Sequence, residues 1–318
     1  MFAFTVRRLL LVFPIMLGVS FLTFAAFRII PGDIVDIRCG LACDDEARQQ
    51  IREHLGLGEP WYEQYGNWLL GIIQGDFGES MGEGELPVTT ELERRLPVTL
   101  ELMLLTVALT LAIGVPLGVL ASVRSGSVLD SFARLMGVVG LSVPSFYLGV
   151  IVIAFGASWF DWSPPQFATG YVSPFDDPWV NIQQFFLPSL VLALGSAAVT
   201  MRLLRSSMLE VLRNDYIRTA YAKGLRGRAV IWRHTLKNAF IPVVTIIGLE
   251  IGGLLGGTVI IESVFALNGV GFYLLYSIGT RDFIVVQSVV LLFAFTYVMI
   301  NLFVDLAYAW LDPRIRYS

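Results

Sequence analysis

Histidine is scarce in this chain, with only His54 and His234, and so is cysteine, with only Cys39 and Cys43. A closed metal site needs four ligands at fixed spacing, and these residues do not supply them. No Ser-His-Asp set forms either, because neither histidine falls near a buried serine by the topology derived below. The chain has no Gly-x4-Gly-Lys-Ser/Thr run, so it carries no phosphate loop of its own. Charge is also thin: 15% of residues are Asp, Glu, Lys or Arg, against about 25% in a soluble domain. That excludes an ordinary water-soluble protein.

Apolar residues fill the gap. They make up 55% of the chain, and the mean hydropathy is +0.69. A helix needs about 20 apolar residues to cross a bilayer. Six runs meet that length: Leu9–Phe27, Val98–Ser122, Phe132–Trp159, Phe186–Leu204, Ile241–Ile261 and Ile284–Trp310. The expectation is an all-α polytopic membrane protein with six transmembrane helices. Arg7 and Arg8 precede the first run, which is too long for a cleaved leader and lacks a small-residue cleavage site.

Basic residues set the orientation. Arg7, Arg8, Arg124, Arg134, the cluster from Arg202 to Lys237, Arg314 and Arg316 fall on one side. The short loop 160–185 on the other side has no Lys or Arg. Both termini are therefore expected in the cytoplasm. Three parts follow: 1–30 as the N-terminus and first span, 31–97 as an outer loop with amphipathic helices, and 98–318 as a core of five spans. A polar loop at about 205–240 interrupts that core. Cys39 and Cys43 fall in the outer loop, where disulfides persist. A short-loop disulfide leads the readings, two free thiols follow, and a metal site comes last.

The outer loop has its own helix signals. Asp44 opens one helical stretch and Gly56 ends it. The segment 60–74 puts Trp61, Tyr65, Trp68, Leu69, Ile72 and Ile73 near one face, as an amphipathic helix does. Gly75-Asp76-Phe77-Gly78-Glu79-Ser80 then signals a tight turn. Within the spans, Pro116 and Pro144 are expected to kink their helices, either shaping a pathway or merely packing. Gly248, Gly252 and Gly256 are spaced by four, so they share a face that admits a close neighbour, in this chain or a partner. Glu250 lies midway along the fifth span. A carboxylate there is costly unless it is paired, protonated or facing a water-filled path.

The polar stretch 214–242 is the most informative one. It reads Asn-Asp-Tyr216-Ile217-Arg218-Thr219-Ala220-Tyr221-Ala222-Lys223-Gly224-Leu-Arg, then continues to Ile241-Pro242. Asn214 or Asp215 can cap a first helix, Gly224 can end it, and a second helix can run from about Arg228 to Asn238.

This pattern, Ala220 with Gly224 four residues on and Ile241-Pro242 beyond, resembles the coupling loop of ABC importer permeases. An acidic residue is usual in that family where Arg218 stands here. The run Arg218–Leu225 is similar to the dipeptide/oligopeptide branch, as are Gly75–Ser80, Glu262–Phe272 and the ending Leu311–Tyr317. The resemblance implies a type I ABC importer permease in a prokaryotic inner membrane. It implies that Tyr216–Gly224 docks on an ATPase subunit, with Glu250 as a pathway candidate. The implied partners are a second, homologous permease, two ATP-binding subunits and an external solute-binding protein, with no nucleic acid. ATP and Mg would be bound by the ATPases, and no cofactor by this chain. Peptides are the family's usual cargo, with nickel complexes, glutathione and oligosaccharides as alternatives. The competing classes are a stand-alone secondary transporter or channel, and an intramembrane enzyme. The first usually shows paired inverted repeats, and the second needs a matched nucleophile and base. The sequence offers neither.

Overall fold

The computed structural model describes residues 2–29, 35, 44–54, 56–81 and 86–311. The described residues are almost entirely helical, and their one bridge pairs Glu79 with Pro87. In order the helices are α1 (Phe2–Ile29), α2 (Asp45–His54), α3 (Trp61–Ile73), α4 (Val88–Val123), α5 (Val128–Ser142), α6 (Ser145–Phe160), α7 (Gln166–Thr169) and α8 (Pro178–Leu212). Then come α9 (Asp215–Ala222), α10 (Gly227–Ala229), a π-helical turn (Val230–Thr235), α11 (Leu236–Ala239), α12 (Ile241–Phe265), α13 (Val270–Thr280) and α14 (Phe283–Leu311). Among the described residues five helices are long and apolar enough to cross a membrane, or six if α5 and α6 together make one span.

That pair corrects the expectation of a simple third span. The apolar run is continuous, but α5 and α6 meet at 95°. Proline pushes the residue before it out of the helical region. Val143 accordingly sits at φ −101°, ψ 120°, and Pro144 follows at φ −60°, ψ 137°. Two extended residues in a row break the helix instead of kinking it. Pro116 has no such effect, since α4 stays helical on both sides of it.

The chain divides into two compact units. One comprises Met1–Pro97 with Gly269–Met299, the other Val98–Asn268 with Ile300–Ser318. In the first, α3 packs on α1 through aromatic rings. Tyr65 and Trp68 lie 5.2 and 5.9 Å from Phe24, centroid to centroid. Tyr65 Oη and Ser20 Oγ share a hydrogen bond of 2.8 Å. The apolar face expected of this amphipathic helix is thus partly spent on α1, while Trp61, Leu70 and Ile73 remain exposed.

In the second unit α8 is the hub, and α5, α6 and α12 all pack on it. Lipid tails are as apolar as leucine, so close fit must replace the hydrophobic drive between spans. Glycines of α4 provide that fit. A Cβ at Gly114 would lie 3.0 Å from the Ala197 carbonyl oxygen, and one at Gly118 would lie 3.0 Å from that of Met201. Above them Val98, Leu102, Phe185, Val191, Leu192, Ile261, Phe265 and Leu267 form a buried cluster.

Candidate functional site

The polar stretch folds as its local signals indicate, with two exceptions, at the start of its first helix and in the middle of its second. Helix α9 begins after Asn214, whose backbone is extended at φ −71°, ψ 146°, but no side chain caps it. Asp215 instead meets Arg218 at 3.5 Å on the open surface, a contact worth little there. The other end is closely determined. Gly224 takes φ +77°, its N–H donates to the Tyr221 carbonyl at 2.9 Å, and Leu225 N–H donates to the Ala220 carbonyl at 3.3 Å. These two bonds form a Schellman motif, which needs a left-handed residue at the glycine. Nothing lies within 4 Å of a Cβ built at Gly224, so backbone strain and not crowding selects glycine.

The helix has two faces. Ile217 and Ala220 are buried and pack with Val230, against Val211 and Leu212 at the end of α8. Tyr216, Arg218, Thr219, Tyr221, Ala222, Lys223 and Gly224 are exposed. Tyr216 and Tyr221 present 44% and 48% of their surface, a large aromatic area for so short a helix. Asn238 ties the two halves of the stretch, donating to Tyr216 Oη at 3.1 Å and to the His234 carbonyl at 2.9 Å. The expected second helix is present, but its centre is π-wound over Val230–Thr235. There Thr235 Oγ1 bonds the Val230 carbonyl at 3.2 Å. Such single π turns occur often at functional places.

Glu250 of α12 is half-buried. Its Oε2 is enclosed and accepts no hydrogen bond. Two residues earlier on α12, Gly248 is pressed against Val304 of α14, where a Cβ would come within 2.4 Å of the valine methyl. Gly252 is buried, whereas Gly256 is exposed with nothing within 4 Å. The three glycines therefore do not share one neighbour within the chain. Cys39, Cys43 and the ending 312–317 lie outside the described residues. No group of three or more His, Cys, Asp or Glu side chains suited to a metal occurs among the described residues.

Two features escaped the sequence. The turn 75–80, with Gly75 at φ +85° and Gly78 at φ +81°, is fastened by Asp282, which accepts from Ser80 Oγ at 2.6 Å and Met81 N–H at 2.8 Å. In the other unit Asp130 meets Arg205. Both pairings join residues far apart in sequence, so only charge and proline or glycine punctuation hinted at either end.

A family model described as "Binding-protein-dependent transport system inner membrane component" matches residues 114–317. One described as "Binding-prot-dependent transport system membrane comp, N-term" matches residues 1–110. The chain is 37% identical to the dipeptide transport system permease protein DppB of Alkalihalophilus pseudofirmus, over 100% of both chains. It is 38% identical to DppB of Escherichia coli (strain K12), again over 100% of both. The oligopeptide transport system permease protein AppB of Bacillus subtilis matches at 38% over the same shares. A chain from a structure of inward-facing conformations of the MetNI methionine ABC transporter superimposes with a TM-score of 0.53. It covers 70% of this chain and 96% of that one at 20% identity, a likeness of fold alone.

Proposed function

The chain belongs to the family of binding-protein-dependent transport system inner membrane components, and from that premise we propose that it is the permease of an ATP-driven importer of dipeptides or oligopeptides. It is a multi-pass inner-membrane transport subunit, not an enzyme. Two ATPase subunits, a second permease and an external binding protein complete the importer in this proposal, with both termini in the cytoplasm. ATP and Mg belong to the ATPases.

The observation that carries the proposal is the two-faced helix α9. It is anchored at Ile217 and Ala220 and offers Tyr216, Arg218, Thr219 and Tyr221 outward. An exposed aromatic and basic helix is suited to a protein groove, since tyrosine supplies large contact area at low entropic cost. Movement of the ATPases would displace α9. The anchor against Val211 and Leu212 would pass that displacement into α8, and the composite helix 227–239 would pass it into α12. The change of access follows only if α9 is held differently in the two states, because a partner biases an equilibrium by its differential affinity. Glu250, with its unpartnered Oε2, is the proposed pathway carboxylate, positioned to offset the α-ammonium of a passing peptide.

Replacing Gly224→Val tests the docking. The β-branched residue resists φ +77° and would reshape the end of α9. In the reconstituted importer, ATP hydrolysis should continue while uptake of a labelled dipeptide is lost. Normal uptake per ATP would overturn the docking geometry. For Glu250→Gln the expectation is weaker uptake of free peptides than of N-blocked ones, and equal uptake of both at every pH would remove Glu250 from the pathway.

A further inference from the structure

The loop joining α4 to α5 is closed by a buried aspartate. Asp130 sits in the first turn of α5 and is 1% exposed. Its own N–H donates to Ser127 Oγ at 3.3 Å, and its Oδ2 accepts from Gly126 N–H at 3.0 Å. Both carboxylate oxygens then meet Arg205 of α8, with Nε to Oδ1 at 2.6 Å and Nη2 to Oδ2 at 2.9 Å. Arg134, one turn along α5, stands at 3.8 Å with most of its side chain in the open. The pair is thus a two-pronged fork, its aspartate buried and its arginine 21% exposed, between residues 75 apart in sequence.

Its position gives it a consequence. Arg205 lies about two turns before the end of α8, and that end carries Val211 and Leu212, the floor on which Ile217 and Ala220 of α9 rest. Farther along, Gly137 and Gly140 of α5 lie close to α8: a Cβ at Gly137 would come within 2.9 Å of Met201 Cε, and one at Gly140 within 3.2 Å of the Leu194 carbonyl oxygen. Contact is therefore continuous from α9 through the foot of α8 to α5.

We infer that the Asp130–Arg205 fork is a positioning clamp that makes α5 turn with the foot of α8 when α9 is displaced. Without it, displacement of α9 would bend the last turns of α8 and stop there. The inference rests on the coupling reading above and names the residues through which motion leaves α8. The chemistry suits the task. A guanidinium held by two parallel bonds fixes orientation as well as distance, which a lysine at the same place does not do. An ion pair, whether buried or partly exposed, is a weak device for stability compared with apolar packing, so orientation is the better account of its presence.

The test uses the whole importer in proteoliposomes, with ATP hydrolysis and labelled dipeptide uptake measured together. Arg205→Lys keeps the charge and loses the fork. It should raise the ATP hydrolysed per peptide by about tenfold, a coupling change of ordinary allosteric size, with yield and copurifying ATPases unchanged. Asp130→Asn should do the same, and Arg134→Ala should leave the ratio as it is. A wild-type ratio in Arg205→Lys overturns the clamp, whether or not Asp130→Asn assembles. Gly224→Val, measured in parallel, separates the two ideas. If it uncouples and Arg205→Lys does not, the clamp alone falls. If it stays coupled while Arg205→Lys uncouples, the Gly224-dependent docking geometry falls, and the clamp, which needs only that α9 is displaced, stands.

Discussion

Asp130 and Asp282 are both buried aspartates at the start of a helix, yet they close their loops with different chemistry. Asp282 is 4% exposed and takes its bonds from neutral donors: Ser80 Oγ, Met81 N–H and Val285 N–H at 3.2 Å. Asp130 takes one neutral amide and then the Arg205 guanidinium. Amide and hydroxyl donors fix the shape of a turn, as a cap does. A guanidinium fork joins two rigid helices and carries orientation across the joint. The first arrangement is a closure, and the second is a link. The difference predicts that damage at Asp282 is felt as lost stability, and damage at Asp130 or Arg205 as lost coupling.

The largest effect should come from Asp282→Ala. It removes the acceptor shared by three donors, and a buried donor left without one costs about 1–3 kcal/mol. The thermal midpoint of the detergent-solubilised complex should fall sharply, while the surviving fraction keeps a normal ratio of ATP to peptide. An altered ratio would erase the contrast with Asp130. Next comes Ile217→Ala, which removes most of a fully buried side chain from the anchor of α9, a loss of about 2–5 kcal/mol of packing in well-buried sites. Copurification of the ATPases should drop and return when Val replaces Ala. Retention of the ATPases by Ile217→Ala would mean that the anchor is not what presents α9. Smaller still, Tyr216→Phe removes the acceptor of the Asn238 bond, worth about 0.5–1.5 kcal/mol. Uptake should change by no more than a fewfold, and a complete loss would give the hydroxyl a contact beyond Asn238.

What the sequence made legible is what short-range chemistry controls. The length of apolar runs located the spans. Gly224 announced the end of α9, because only a left-handed residue closes that motif and glycine takes it without strain. Asn214 misled, since a good capping residue was present and its side chain was not used. Pro144 was visible, but the apolar residues on both sides concealed that Val143 would also leave the helix and turn a kink into a 95° break. Asp130 with Arg205, and Ser80 with Asp282, were beyond reach. Their partners are 75 and 202 residues apart, and no periodicity encodes a pairing across that distance. The hub role of α8 was hidden for a related reason. Gly114 and Gly118 mark the close approach of α4 to α8, and only the folded neighbour reveals that role.

The most direct test of the account is cross-linking from α9. Thr219→Cys places a thiol on the exposed face of the helix, between the two buried anchors and away from every bond described for its core. In the assembled importer in native membranes, with Cys39 and Cys43 replaced by serine, a maleimide–benzophenone reagent on this cysteine should photo-cross-link to an ATPase subunit, and the yield should change when ATP is bound. A cysteine that links to no ATPase, or that a membrane-impermeant maleimide labels from outside the intact cell, would contradict it.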